Sequence, residues 1–393
     1  MSEQERNLAS QSPVCQAACL PKRDWILLPL ISLLTILVMF GVSEIFTRMV
    51  WTEQEVDPCS TRDPMGNHHK ANCTVRMENA EAQWAIYHYN ECGYRSETSC
   101  GTKPPGAARI ATLGASVSTG LYIPYEDAYF SLTSSELSRI CNRIVDVQNV
   151  EGGTGAIPVY RKLKEVLALR PDVVLYLVSP FDLERQITPK ELAERDNPTT
   201  QIPTKAAAKL SLSPMKRLEK ALTESRTVLV YQHFLFQNAD IFLRLYMAYG
   251  DNADLFRKPL TPAWQQRFTN FDLIIGDMTA KLRAAGVPLV LIAVPSRPEA
   301  ALLSSNQLPP NIDPFAFGRQ IEIIASKHRA EYVDLVEAFS RIPNSENLFY
   351  VVNGHVNREG QIVIAKNILQ KLQDGSVPTF SHCALQHRAS EDH

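Results

Sequence analysis

Short, unbroken apolar runs separated by longer helical stretches constrain this chain more than any other feature. Ile110–Leu113, Val173–Val178 and Val287–Val294 carry no alternating polar residue. A strand with this pattern is covered on both faces, as in a parallel sheet. Helical stretches lie between and after these runs, at Tyr125–Cys141, Pro158–Leu169, about Ala263–Ala285, Ile321–His328 and Glu359–Leu372. Arg143–Val150 and Tyr332–Leu335 read as two further strands. Parallel strands need crossover connections, and alternating strand and helix supplies them. The expected fold class is therefore α/β, a doubly wound parallel sheet. Its ligand edge lies at the carboxyl ends of the strands.

Residues 184–262 break the alternation. They hold no clear strand but several helical stretches, among them Thr227–Tyr249. We read them as an α-helical insertion packed over the sheet edge, and as a lid candidate, because the insertion leaves from the end of the Val173–Val178 strand. The sequence contains no internal repeat, Walker loop or Gly-x-Gly-x-x-Gly fingerprint. A net charge of −2 gives no sign of nucleic-acid binding.

Upstream, Trp25 to Ser43 is an uncharged run between Asp24 and Glu44, with Trp25 and Trp51 at its ends. About 20 apolar residues cross a bilayer, and interface tryptophans suit such a span. We assign 25–47 as a transmembrane helix and 1–24 as a disordered cytoplasmic tail. The weak basic bias of Lys22 and Arg23 over Arg48 puts the N-terminus inside and the main domain outside. Six cysteines follow the span, an even number that permits disulfides in an oxidising compartment. Cys59 with Cys73 and Cys92 with Cys100 are the local pairs. Zinc is the rival reading, helped by His68 and His69, but no Cys-x-x-Cys spacing is present. Asn72-Cys73-Thr74 fits a glycosylation sequon, relevant only in a eukaryotic secretory pathway. Residues 48–105 read as a cysteine-containing stalk, 106–375 as the α/β domain, and 376–393 as a disordered tail with His382, His387 and His393.

Chemistry concentrates where the strands end. After Ile110–Leu113 come Gly114, Ala115 and Ser116, then the turn residues Ser118, Thr119 and Gly120. Ser116 is either a helix cap or a hydroxyl presented at the sheet edge. After Arg143–Val150 comes Gly152-Gly153-Thr154-Gly155, where glycine allows a backbone N–H to approach closely. After the last strand comes Asn353-Gly354-His355. Acyl transfer needs a nucleophile, a base and oxyanion donors, and these three places can supply them.

In order and spacing these blocks resemble the SGNH, or GDSL-type, hydrolase family, over about residues 88–373. Asn90-Glu91-Cys92-Gly93-Tyr94-Arg95 is similar to the Asn-x-x-Gly-aromatic-Arg lead of bacterial members. Gly114–Gly120 looks like the serine block, Gln148-Asn149 with its glycines the second, Val178–Leu183 the third, and Gly354–Gly360 the last. Pro295-Ser296-Arg297 and Val333-Asp334-Leu335 also suit extracytoplasmic members acting on glycans. The resemblance implies Ser116 as nucleophile, His355 as base, Asn353 as its orienter, and the N–H groups of Ser116 and Gly153 as the oxyanion hole. Three positions depart from the family: Ala115 replaces an Asp, Phe181 replaces the Asn that donates to the oxyanion, and Asn353 stands near the orienting Asp. Asp182 is either a substitute carboxylate or a helix cap.

Two functions are therefore expected. One is a membrane-anchored extracytoplasmic esterase or O-acyltransferase working on an acylated envelope glycan or small ester, without cofactor or metal. The other is a catalytically degenerate SGNH-like domain that binds a glycan or protein.

Overall fold

The computed structural model describes residues 23–51, 57–63, 66–196, 224–248, 252–305, 308–381 and 383. Its centre is a five-stranded, wholly parallel sheet. Here β1 (Ser60–Asp63), β2 (Gly66–His69), β3 (Thr74–Met77) and β4 (Ala85–His88) form two antiparallel hairpins. The central strands are β5 (Ala108–Leu113), β6 (Val145–Asn149), β7 (Val173–Val178), β8 (Leu289–Ala293) and β9 (Glu331–Asp334), in the order β6-β5-β7-β8-β9. The chain runs outward from β5 to β6, then returns past β5 to β7. The order therefore reverses at β5, and the crevice above its carboxyl end is the switch point where ligands of such sheets bind.

Side-chain alternation explains why apolar residues fill the strands. In β7, Val174, Tyr176 and Val178 enter one core while Val173, Leu175 and Leu177 enter the core on the opposite face. Burial on both faces removes the need for a polar position. The expected strands at 110–113, 143–150, 173–178, 287–294 and 332–335 all appear; β7 matches, β5 starts two residues earlier, β6 and β8 are trimmed by one or two residues at each end, and β9 is shifted one residue toward the N-terminus.

The helices follow in chain order: α1 (Asp24–Val50), α2 (Ser116–Thr119), α3 (Tyr129–Cys141), α4 (Ala156–Arg161), α5 (Leu163–Ala168), α6 (Pro180–Glu184) and α7 (Pro189–Ala193). After them come α8 (Arg226–Phe236), α9 (Ala239–Ala248), α10 (Pro262–Ala284), α11 (Arg297–Leu303), α12 (Ala316–His328), α13 (Leu335–Ser340) and α14 (Arg358–Gln373). Helix α1 buries none of its residues and is long and apolar enough to cross a membrane. The described part of the insertion carries helices joined by irregular segments, with Arg257 in an isolated β-bridge to Ile312, and residues 197–223 and 249–251, Tyr249 among them, lie outside the described residues. The expected single helix over Thr227–Tyr249 is two. Asn238 Oδ1 accepts the Ile241 N–H at 3.0 Å and starts α9 afresh.

Two expectations are corrected. Residues 57–105 are not a stalk. The β3–β4 hairpin has its own core of Val75, Met77, Ala85, Tyr87 and Tyr89, joined by Tyr122 of the α/β domain. The buried Arg95 guanidinium stacks on Tyr87 at 3.8 Å and donates to the carbonyls of Thr119, Gly120 and Ile123, clamping this layer onto the turn after Ser116. Nor does the disordered tail begin at 376. Val377 and Phe380 are fully buried, and Cys383 is disulfide-bonded to Cys141 at the end of α3. These side chains beyond α14 complete the core above it, which a polar-looking segment conceals. Residues 1–22 and 384–393 lie outside the described residues, His387 and His393 among them, as does His382. The bridges Cys59–Cys73 and Cys92–Cys100 form as expected. No cluster of three or more metal-ligating side chains occurs among the described residues.

Candidate active site

Backbone geometry at the end of β5 places Ser116. Gly114 has φ +147°, and a Cβ there would lie 2.6 Å from the Leu177 carbonyl oxygen and 2.7 Å from Ser118 Cβ. Only glycine allows the strand to turn so tightly. Helix α2 then opens with Ser116, and its Oγ lies 2.8 Å from His355 Nε2. His355 Nδ1 lies 2.5 Å from Asn353 Oδ1. An amide oxygen can only accept, so Nδ1 carries the proton and Nε2 keeps its lone pair for the Ser116 hydroxyl. Burial lowers the His355 pKa to about 4, with hydrogen bonding to Asn353 opposing the shift. The imidazole is thus neutral at neutral pH, as a proton acceptor must be. His355 is half-buried.

The glycine loop after β6 is tied to the serine turn. Gly152 N–H donates to the Gly114 carbonyl at 2.9 Å, and a Cβ on Gly152 would meet Val159 Cα at 2.4 Å. Gly153 follows with φ +82°, facing the Asn67 side chain of β2. Buried Asn149 joins the same turn, donating to the Ser118 carbonyl at 2.9 Å and accepting from Thr112 Oγ1 at 2.9 Å.

Asp182 stands apart from this group. Its Oδ2 accepts from Ser179 N–H at 2.9 Å and Ser179 Oγ at 3.0 Å, capping α6. Burial pushes its pKa up to about 6. Asn353, not Asp182, occupies His355 Nδ1. Phe181 is 45% exposed and lines a separate cavity of about 220 Å³ with Glu184, Tyr246, Trp264 and Arg267.

Sequence reasoning passed over two residues at the site. Tyr122 is buried, holds φ +62°, and sets its ring edge-on to His355 with centroids 6.4 Å apart. A positive φ on a bulky residue is uncommon and collects at functional sites. Ser118, Thr119 and Gly120 announce a turn, but nothing in the sequence says that Tyr122 itself takes the positive φ. Glu81 is the other. Its buried carboxylate accepts the backbone N–H groups of Val352 and Asn353 from a hairpin 271 residues away in sequence. Both line a cleft of about 660 Å³ next to His355, with Gln83, Asp127, Asn347, Tyr350 and Arg358 among its walls.

No family model matches the sequence, and no curated protein matches it. Solved structures do. A lipase/acylhydrolase from Enterococcus faecalis is 13% identical with a TM-score of 0.39, covering 68% of this chain and 95% of its own. An acetyl xylan esterase, AlAXEase, is 13% identical with a TM-score of 0.37, covering 67% of this chain and 98% of its own. The psychrotrophic esterase EstA from Pseudoalteromonas sp. is 14% identical with a TM-score of 0.34, covering 67% of this chain and 96% of its own. Two of these are esterases and one is a lipase/acylhydrolase. The α/β class rests on the parallel sheet itself, and the site on its own distances.

Proposed function

We propose that this chain is a membrane-anchored, extracytoplasmic serine esterase or O-acyltransferase of the SGNH type. The observation that carries the reading is the line Ser116 Oγ–His355 Nε2 at 2.8 Å and His355 Nδ1–Asn353 Oδ1 at 2.5 Å. A nucleophile within hydrogen-bond reach of a base, itself oriented by a third group, is the signature of covalent acyl transfer. In this scheme Ser116 Oγ attacks the ester carbonyl as His355 Nε2 takes its proton. The N–H groups of Ser116 and Gly153 receive the oxyanion. Collapse expels the alcohol, which takes the proton back from His355, and leaves an acyl-serine. Water or a second hydroxyl then attacks with His355 again as base, and Ser116 is regenerated as an acid or a new ester leaves.

A hydrophilic, glycan-like substrate is supported by the mixed polar and aromatic lining of the cleft of about 660 Å³, which reaches the site through Tyr122, edge-on to His355, and is not lined by Ser116 or His355 themselves. Tyr122, Phe349 and Tyr350 offer apolar faces, and Gln83, Asp127, Asn347 and Arg358 offer donors and acceptors at its rim. The extracytoplasmic placement is supported by α1 and by the disulfides, which persist in oxidising compartments.

The second reading, a degenerate binding domain, is favoured by one observation: Phe181, with no hydrogen-bonding group, stands where the family's oxyanion amide belongs. Labelling with a serine-reactive fluorophosphonate separates the two. Wild type should label and Ser116→Ala should not. Folded wild type that stays unlabelled removes the esterase reading in favour of the binding one.

A further inference from the structure

The loop that carries His355 is held from outside the sheet by one buried carboxylate. Glu81, between β3 and β4, has a side chain only 6% exposed. Its Oε1 accepts from His233 Nδ1 at 2.6 Å and from Val352 N–H at 3.0 Å. Its Oε2 accepts from Val352 N–H at 2.9 Å and Asn353 N–H at 2.8 Å. The tautomer of His233 agrees, since Gln237 Nε2 donates to its Nε2 at 3.2 Å and leaves the proton on Nδ1. Three donors thus converge on one carboxylate, immediately behind the amide that orients His355.

His233 lies on α8, and α8 is fastened at both ends. At its start, Glu44 of α1 accepts from Ser225 Oγ at 2.7 Å, Arg226 N–H at 3.1 Å and Thr227 N–H at 3.0 Å. Arg48 of α1 donates to the Glu224 carbonyl at 3.2 Å. Two turns further along, Trp51 meets the His233 ring at 5.7 Å. At the far end, buried Arg297 donates to the Phe236 carbonyl at 2.6 Å and to the Val351 carbonyl at 2.5 Å, binding α8 and the His355 loop together. An 11-residue helix spans about 16 Å. A continuous set of hydrogen bonds therefore runs from the last turns of the membrane helix to the loop at the site.

We infer that Glu81 is a positioning residue for His355, and that through His233 and α8 it links the membrane helix to the geometry of the Ser116–His355 pair. The inference rests on the esterase reading for its effect on rate, and on hydrogen bonding alone for its effect on the loop. Glu81→Gln is the informative substitution, because its NH2 turns one acceptor into a donor facing backbone N–H groups. Glu81→Asp keeps the charge on a shorter arm.

The test uses the full-length chain in lipid nanodiscs, following amide hydrogen exchange in 350–355, the rate of fluorophosphonate labelling, and kcat and KM on 4-nitrophenyl acetate. In Glu81→Gln, exchange at Val352 and Asn353 should accelerate. Labelling rate and kcat should each fall about tenfold or more, the scale of a lost charge-assisted bond, while KM moves less than about twofold. Glu81→Asp should recover part of the rate. Glu44→Ala should shift loop exchange in the same direction by less, and unchanged exchange there overturns the membrane link. Wild-type exchange in Glu81→Gln overturns the role of Glu81. So does a wild-type labelling rate while Ser116→Ala stays unlabelled. If wild type does not label, the esterase reading falls, and loop exchange alone decides the role of Glu81.

Discussion

Asn353→Asp tests how the His355 base is tuned. In wild type a neutral amide oxygen lies 2.5 Å from Nδ1, and burial holds the imidazole pKa at about 4. An amide orients the ring but adds no charge to stabilise imidazolium. A carboxylate in the same place favours the protonated ring, and a close opposite charge shifts a pKa by roughly 1–3 units. The variant's His355 should titrate at about 5–7. A shift of about two units corresponds to about 2.7 kcal/mol of proton affinity. If half of that is expressed where the proton is half transferred, turnover rises about tenfold. The sign in pH is definite. His355 acts as base only when neutral, so activity falls as pH drops through its pKa. Wild type should keep its activity down to about pH 4, and the variant should lose it earlier. The assay is the pH profile of kcat/KM on 4-nitrophenyl acetate. Glu81, already hydrogen-bonded to Asn353 N–H, adds a second negative charge nearby and should make the variant less stable. An acid limb that stays at its wild-type position, in a variant whose new carboxylate is shown to contact His355 Nδ1, would refute control of the base by residue 353.

Other perturbations reach the scaffold and topology. Cys141→Ser opens a bridge between residues 242 apart, for which the chain-entropy model gives an upper value of ~5 kcal/mol. A large fall in Tm is expected, and an unchanged Tm would exclude a stabilising role. Arg109→Ala leaves the buried Asp146 carboxylate without its cation, 2.6 Å away and with each side chain 1% exposed, although Thr98 and Gln148 still donate to its other oxygen; urea unfolding should show a loss of about 3–5 kcal/mol. Asp182→Asn should raise stability above pH 6. The Asp182 pKa is raised from 3.8 to about 6 on folding, so the wild-type carboxyl is favourable below the unfolded value and loses up to ~3 kcal/mol as pH rises through the folded one. Equal pH dependence of the two proteins between about pH 4 and 6 would contradict this. A reporter fused after His393 should lie outside the cytoplasm, and a cytoplasmic signal reverses the proposed orientation.

Local pattern by itself determined the sheet. Val173–Val178 and Ile110–Leu113 are apolar at every position or nearly so because both faces are covered, so strand type and parallel arrangement were legible in the residues alone. The apolar run of α1 and the short-range pairs Cys59–Cys73 and Cys92–Cys100 were equally legible, being properties of neighbours in sequence. Ser116 could be named because it follows β5 at the sheet edge, whereas His355 and Asn353, which lie beyond α13 rather than at a strand end, were named from the order and spacing of blocks that resemble the SGNH family. Long-range closure was different. Only the folded chain brings Cys383 to Cys141, Arg95 under the Ser116 turn, and Glu81 behind Asn353. Those contacts join residues whose own neighbours carry no periodicity that would pair them. Their partners are chosen by where the hairpin layer and the last helix pack, and that choice exists only in three dimensions.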